Sequence, residues 1–181
     1  MEFIKTKFDG AWTVQPAVHS DERGFFLESY ASKDFLSAGV TASFVQDNHS
    51  LSIYPGVLRG LHLQRPPFAQ SKIIRVIRGA MFDVIVDLRA HSPTFGQWEG
   101  FEMTETNFSM LFVPHGFAHG FCTLAPRTEV LYKVDTPYAP QYEGGIRWND
   151  PDIGIQWPID APVLSEKDKN LPFFKDFISP F

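Results

Sequence analysis

Short apolar runs recur along the chain, each closed by a turn-forming residue. The run Gly24-Phe25-Phe26-Leu27-Glu28-Ser29-Tyr30 follows the turn residues Ser20-Asp21-Glu22-Arg23 and reads as a strand. Residues 71–78 (SKIIRVIR) alternate imperfectly and end at Gly79, while 80–88 (AMFDVIVDL) alternate large apolar residues with Asp83 and Asp87. Met110-Leu111-Phe112-Val113 stops at Pro114. Residues 120–124 (GFCTL) and 128–134 (TEVLYKV) follow, divided by Ala125-Pro126-Arg127. Strands at this spacing, with turns between them, predict a β-sandwich or barrel. Helical signal is thin. Residues 32–39 (SKDFLSAG) open on a Ser cap and end at Gly39, which predicts a short helix, and 161–171 (APVLSEKDKNL) hold a second with Ser165 as its cap. The stretch LPFFKDFISP near the end is aromatic and bounded by proline, and is expected to pack on the body or on a partner subunit. No repeat, low-complexity segment or linker interrupts the pattern, and 181 residues suit a single domain, 1–181.

Composition sharpens this to an all-β reading. Aromatic residues make up 15% of the chain and 14 Pro with 13 Gly supply turns, the balance of a β-rich protein with a packed interior. The expected architecture is an antiparallel jelly-roll sandwich or barrel with a few short helices. Such barrels bind ligands in their mouths, so polar residues pointing inward from strands are the candidates for a site. A formal net charge of −5 lacks the basic excess of a general nucleic-acid binder, while leaving room for a local basic pocket. The opening residues, MEFIKTKFDGAW, lack the apolar core of a signal peptide, and no apolar run reaches the roughly 18 residues of a membrane span. The expectation is a cytoplasmic protein with neither a membrane nor a nucleic-acid partner. Cys122 is the one cysteine, which excludes an internal disulfide. Beside His119 it has the setting of a nucleophile, but a small buried residue in a strand is the plainer reading.

Polar side chains gather beside strands in three places. The first is Arg59-Gly60-Leu61-His62-Leu63-Gln64, where an extended run sends His62 and Gln64 to one face, with Lys72 following. The second is Pro114-His115-Gly116-Phe117-Ala118-His119-Gly120, and the third is Tyr132-Lys133. The spacings G-x-H-x-Q and P-x-G-x-x-H resemble the two motifs of cupin barrels. In metal-binding cupins the first motif carries a second His and a later Glu. Here Gln64 stands in place of that His, no Glu lies between Gln64 and Gly79, and Lys72 brings a charge that repels a cation. The reading is a cupin barrel whose metal site has been replaced by other polar chemistry. A neutral His is a good general base near pH 7, a Lys ammonium stabilises an enolate oxygen, and a Tyr hydroxyl delivers a proton from the opposite side. That set suits proton abstraction beside a carbonyl with return to the other face, which gives an epimer. Taken singly, each residue has a plainer reading, the His as a satisfied polar group and the Tyr as packing.

Further segments complete the pattern. They are Asp21-Glu22-Arg23-Gly24-Phe25-Phe26-Leu27-Glu28, Gln46-Asp47-Asn48-His49-Ser50, Gln70-Ser71-Lys72, Val84-Ile85-Val86-Asp87-Leu88-Arg89, Tyr138, Glu143-Gly144-Gly145-Ile146-Arg147-Trp148-Asn149-Asp150-Pro151 and Leu164-Ser165-Glu166-Lys167-Asp168. With the three clusters above, and in this order, they resemble the dTDP-4-dehydrorhamnose 3,5-epimerase family, cupin-fold enzymes of dTDP-L-rhamnose synthesis. The resemblance implies His62 as general base, Asp168 as the group that orients it, Lys72 at the enolate oxygen and Tyr132 as the acid on the opposite face. It implies that Arg23, Glu28, Gln46, Asn48, Arg59, His119, Glu143 and Lys167 contact the nucleotide, its pyrophosphate or the sugar. Phe26 and Tyr138 would pack on the thymine or the sugar. The implied substrate is dTDP-4-keto-6-deoxy-D-glucose, epimerised at C3 and C5 without a metal or organic cofactor. The absence of a G-x-G-x-x-G after a strand agrees with a reaction that needs no NAD. The implied assembly is a homodimer that shares strands, with Phe3, Ile4, Phe173, Phe174 and Phe177 as apolar residues compatible with it.

Residue by residue, other readings stay open. Arg23 and Glu28 suit a surface ion pair, Gln46 and Asn48 a turn, Glu143-Gly144-Gly145 a loop, and Asp168 a helix start. For the whole chain, a metal-dependent cupin would draw on His62, His119 and His49 or His115. A sugar-binding cupin would need only the barrel and its aromatics. An epimerase acting at one carbon of a related dTDP-keto-sugar shares the same motifs.

Overall fold

The structure, a computed structural model, describes every residue from Met1 to Phe181. Two antiparallel sheets pack face to face. One runs in the order β1 (Glu2–Lys5), β2 (Trp12–Gln15), β10 (Met110–Val113), β7 (Lys72–Arg78), β12 (Thr128–Val134), β5 (Gln46–Ser52). The other runs β13 (Glu143–Gly145), β6 (Leu58–Gln64), β11 (Phe117–Thr123), β8 (Ala80–Asp87), β9 (Trp98–Thr104). A hairpin of β3 (Val18–Asp21) and β4 (Gly24–Leu27) pairs with neither sheet. The helices are short: α1 (Ser32–Ser37) and α2 (Glu166–Lys169). This is the all-β, cupin-type sandwich expected from the apolar runs.

Three apolar layers hold it. Between the sheets, Ile74, Val76, Leu111 and Val130 of the first meet Met81, Ile85, Phe117 and Phe121 of the second. On the outer face of the second sheet, Leu61, Leu63, Val84, Val86 and Ala118 are covered by Ile146, Ile153 and the partly buried Phe174, Phe177 and Phe181. On the outer face of the first, Val14, Ile73, Met110 and Phe112 are covered by Phe35 of α1 and by Val40 and Phe44. Central strands therefore bury both faces. Every residue of β11 is buried, which explains why these strands read as near-continuous apolar runs with imperfect alternation. Asp83 and Asp87, the polar positions of β8, are both completely buried. Asp87 is met by Arg89, Ser92 and Thr94.

Several boundaries differ from the sequence reading. The strand expected over 24–30 ends at Leu27. The cap of α1 is Ala31, and Ser32 is its first residue. Ser165 does cap α2, which is confined to Glu166–Lys169, because its hydroxyl accepts from the Asp168 N–H at 3.1 Å. Gln46 and Asn48 stand on a strand, not in a turn, and Glu143-Gly144-Gly145 is a short strand beside β6. The C-terminal aromatics and Phe3 pack on their own chain, Phe3 edge-on to Phe35. Cys122 is fully buried, and burial pushes its thiol up to about 11, which suppresses the thiolate a nucleophile needs. No helix is long and apolar enough to cross a membrane.

Candidate active site

Residues of both sheets line a cavity of about 770 Å³. Strand alternation decides what lines it. On the first sheet, Tyr132 of β12 sits between Ile74 of β7 and Asn48 of β5 in register. Side chains two residues apart share a face, so Lys72, Tyr132, Gln46, Asn48 and Ser50 point into the cavity together. On the second sheet, His62 of β6 lies directly opposite His119 of β11, and both line the same cavity.

Glycines allow this crowding. A Cβ on Gly60, whose φ is +129°, would lie 2.5 Å from the Gly120 Cα, so β6 and β11 approach too closely for any side chain there. On the other side of β6, a Cβ on Gly145, the register partner of His62, would lie 2.0 Å from the Leu61 oxygen.

Asp168 reaches His62 from α2. The segment before α2 is tied to the start of β6 by a parallel bridge between Val163 and Val57, with Leu58 N donating to the Val163 oxygen at 3.0 Å. After α2, the Arg147 guanidinium donates to the Leu171 oxygen at 3.2 Å. Between these anchors the buried Asp168 carboxylate meets Nε2 of His62 at 2.5 Å. Burial pushes Asp168 up, but the hydrogen bond and charge of His62, the Ser165 hydrogen bond and the Lys167 charge together outweigh it and hold the carboxyl below its ordinary value. The helix-start alternative was half of the answer. The backbone of Asp168 completes the Ser165 cap while its carboxylate holds the histidine. With Nε2 engaged, Nδ1 of His62 is left to take a proton.

Lys72 and Tyr132 face His62 from the other sheet. Neither the Lys72 ammonium nor the Tyr132 hydroxyl is held by a hydrogen bond within the chain, so both are free for a ligand. Burial pulls Lys72 down to about 8, against the counter-charges of Asp83 and Glu143. Burial raises Tyr132, which keeps its hydroxyl protonated. At the rim, Glu143 accepts from Lys167 at 2.7 Å and from the Tyr138 hydroxyl at 3.1 Å. Gln46 donates to Asn48 at 2.8 Å and accepts from the Tyr138 N–H at 3.1 Å. Arg59 donates to Ser52 and to the Leu51 oxygen. Arg59, Lys72 and Lys167 give this cavity a cationic lining suited to a diphosphate, although the chain as a whole is acidic.

The cavity thus gathers His62, Lys72, Tyr132, Asp168, Gln46, Asn48, Arg59, His119, Tyr138, Glu143 and Lys167. It does not gather Arg23, Phe26 and Glu28. These belong to the β3–β4 hairpin and the residue after it, where Arg23 pairs with Asp21, not Glu28, and Phe26 is 68% exposed. Gln64 lines the cavity but braces the surrounding loops, through the Phe68 oxygen and the Ala139 N–H. His49 and His115 pair elsewhere, with Glu129 and Asp135. Two polar groups went unsingled in the sequence: Ser50, whose buried hydroxyl has no partner, and Asp83, which meets Nε2 of His119 at 2.5 Å.

The family model for dTDP-4-dehydrorhamnose 3,5-epimerase matches residues 5–176. The chain belongs to that family. A dTDP-4-dehydrorhamnose 3,5-epimerase from Methanothermobacter thermautotrophicus is 50% identical over 171 residues, covering 93% of this chain and 91% of the relative. The Bacillus anthracis dTDP-4-dehydrorhamnose 3,5-epimerase, solved with TDP and PPi bound, is 51% identical with a TM-score of 0.94, covering 96% of this chain and 99% of that one. A dTDP-6-deoxy-D-glucose-3,5-epimerase from Legionella pneumophila, solved with dTDP-4-keto-L-rhamnose, is 41% identical with a TM-score of 0.93, covering 98% of this chain and 94% of that one. Membership in the dTDP-4-dehydrorhamnose 3,5-epimerase family thus spans nearly the whole chain, including every strand that lines the cavity.

Proposed function

We propose that this chain epimerises C3 and C5 of dTDP-4-keto-6-deoxy-D-glucose, the step that leads to the L-sugar nucleotide in dTDP-L-rhamnose synthesis. The observation that carries this is the opposition of the two sheets. A carboxylate-held His62 stands on one, and Tyr132 with Lys72 stands on the other, across one cavity. A planar enolate between them has a base on one face and an acid on the other.

The C4 ketone acidifies the hydrogens at C3 and C5. His62 takes one through Nδ1, and the electron pair of the broken C–H bond moves onto the ketone oxygen. The Lys72 ammonium stabilises that oxygen. Tyr132 returns a proton to the opposite face and is reprotonated from solvent. Asp168 stabilises the imidazolium formed on His62, the role of the carboxylate in any oriented-base triad. Once the imidazolium has released its proton to solvent, repetition at the second carbon completes the reaction, and no electron is gained or lost. Arg59 and Lys167 suit the pyrophosphate and Tyr138 the thymine.

The assembly we propose is a homodimer. The β3–β4 hairpin pairs with neither sheet of its own chain and exposes Phe25 and Phe26 by 56% and 68%. Placed over the cavity of a second copy, it would bring Arg23, Phe26 and Glu28 to the nucleotide. The deciding experiment is NMR of the keto-sugar nucleotide in D2O. Deuterium at C3 and C5 is expected; deuterium at one carbon would reassign the chain to a single-site epimerase, and none at either would reject the reading.

A further inference from the structure

His62 and His119 are register partners on neighbouring strands, and each is met by a carboxylate at its Nε2. The first carboxylate, Asp168, belongs to the base. The second, Asp83, is on β8, two residues from Ile85, which is the register partner of His119. Asp83 is 0% exposed and does not line the cavity. One of its oxygens meets His119, and the other is buried with no hydrogen-bond partner. A buried carboxylate with an open acceptor is costly unless a cation compensates it. On the facing sheet, the Lys72 ammonium has no partner either.

We propose that Asp83 is a positioning residue for the epimerase reaction, fixing the His119 ring with Nδ1 toward the substrate and supplying the counter-charge that keeps the Lys72 ammonium protonated opposite the ketone oxygen. This rests on the epimerase reading for its catalytic meaning, but the charge relationship stands apart from it. Charged or titratable groups reach the cavity that Lys72 lines from several elements, and Asp83 lies behind its wall. Asp83 is on β8, His62 on β6, His119 on β11, Glu143 on β13, Lys167 and Asp168 on α2, and Arg59 and Tyr132 at the cavity wall. Of those acting on the ammonium, Asp83 is the strongest that favours its charge, followed by Glu143, while Lys167 opposes it. Burial works against the charge, and an amine that had lost its proton would be useless as an electrostatic partner for an enolate.

The test titrates Lys72 directly in full-length protein with isotopically labelled lysine, reading the side-chain resonance that a Lys72→Met protein lacks. In Asp83→Asn, which keeps the side-chain volume, the Lys72 midpoint should fall by roughly one pH unit or more, and the alkaline limb of kcat/KM should move down with it. In Asp83→Glu, which keeps the charge, the midpoint should stay near that of the unsubstituted protein. In His119→Asn, which keeps Asp83, substrate binding should weaken while the midpoint does not fall. An unmoved midpoint in Asp83→Asn, or an equal fall in Asp83→Glu or His119→Asn, overturns the proposal. A shifted midpoint in Asp83→Asn, with no deuterium exchange at C3 or C5 in the unsubstituted protein, would sink the epimerase reading and leave the Asp83–Lys72 pairing in place.

Discussion

A carboxylate oxygen of Asp168 lies 2.5 Å from Nε2 of His62, across 106 residues of chain. The contact fixes the imidazole with Nδ1 toward the cavity and places an anion where a positive charge must develop. Asp168→Asn preserves shape and removes that anion. We expect kcat to fall by roughly two to four orders of magnitude, with dTDP affinity by calorimetry little changed. Circular dichroism should remain native. A kcat within a factor of about three of the parent would mean that Asp168 matters only through its backbone at the helix cap.

Tyr132 stands on the sheet opposite His62, so the two can be separated chemically. In Tyr132→Phe the base still removes a proton, but nothing delivers one from the other side. Solvent deuterium should therefore enter the keto-sugar with retention of configuration while L-product formation falls by about 10²-fold or more. His62→Ala should lose exchange and product together. If Tyr132→Phe stopped exchange as completely as His62→Ala, the division of base and acid between the sheets would be wrong.

These two residues also show why the sequence was informative in some places and silent in others. Tyr132 lies on β12, whose core-facing Val130 and Val134 announce a strand. Strand β5 (QDNHSLS) was invisible as a strand because its inward face carries Gln46, Asn48 and Ser50, which line a polar cavity in place of a core. Its alternation is strict in burial and absent in hydropathy. Asp168 could be assigned to His62 only through the family resemblance, since spacing says nothing about a contact so distant in sequence. Asp83 was legible only as a polar position in an apolar strand. Its meaning depends on β8 being buried on both faces and on a diagonal neighbour two strand positions away, neither of which periodicity reveals. The hairpin carrying Arg23 and Phe26 was read as part of the site, yet in one chain it lies outside the cavity. The proposed homodimer would account for that discrepancy.

Lys72 gives the pH dependence. Burial pulls its ammonium from 10.5 down to about 8. The charged form is the one that stabilises an enolate, so kcat/KM should fall as pH rises through about 8. The same shift acts on stability with the opposite sign. Between about 8 and 10.5 the unfolded chain holds a proton that the folded chain has released, so the Lys72 contribution to stability improves as pH rises across that window. Lys72→Met should then be inactive yet melt a few degrees higher at pH 7. Its advantage in Tm should shrink toward pH 10. A constant advantage from pH 7 to 10, read by calorimetric scans, would show that the gain comes from packing and not from the buried charge.

The hairpin allows a mixing experiment that needs no structure of the assembly. Take one protein with Arg23→Ala and Phe26→Ala, and another with His62→Ala. Each alone should be nearly inactive, the first in binding and the second in chemistry. If each hairpin completes the cavity of the other copy, a mixed dimer places the intact hairpin of the His62→Ala copy over the intact His62 of its partner. Random re-association of equal amounts makes half the dimers mixed with one competent cavity each, so about a quarter of all sites should work. If each hairpin folds back over its own cavity, both cavities of a mixed dimer carry a defect and no activity returns. Co-refolding the two proteins, sizing the product by sedimentation and assaying turnover against a mock mixture separates the outcomes. Recovery near a quarter of the parent rate would place Arg23 and Phe26 in the neighbour's site, and recovery near zero in a preparation that sediments as a dimer would remove them from it.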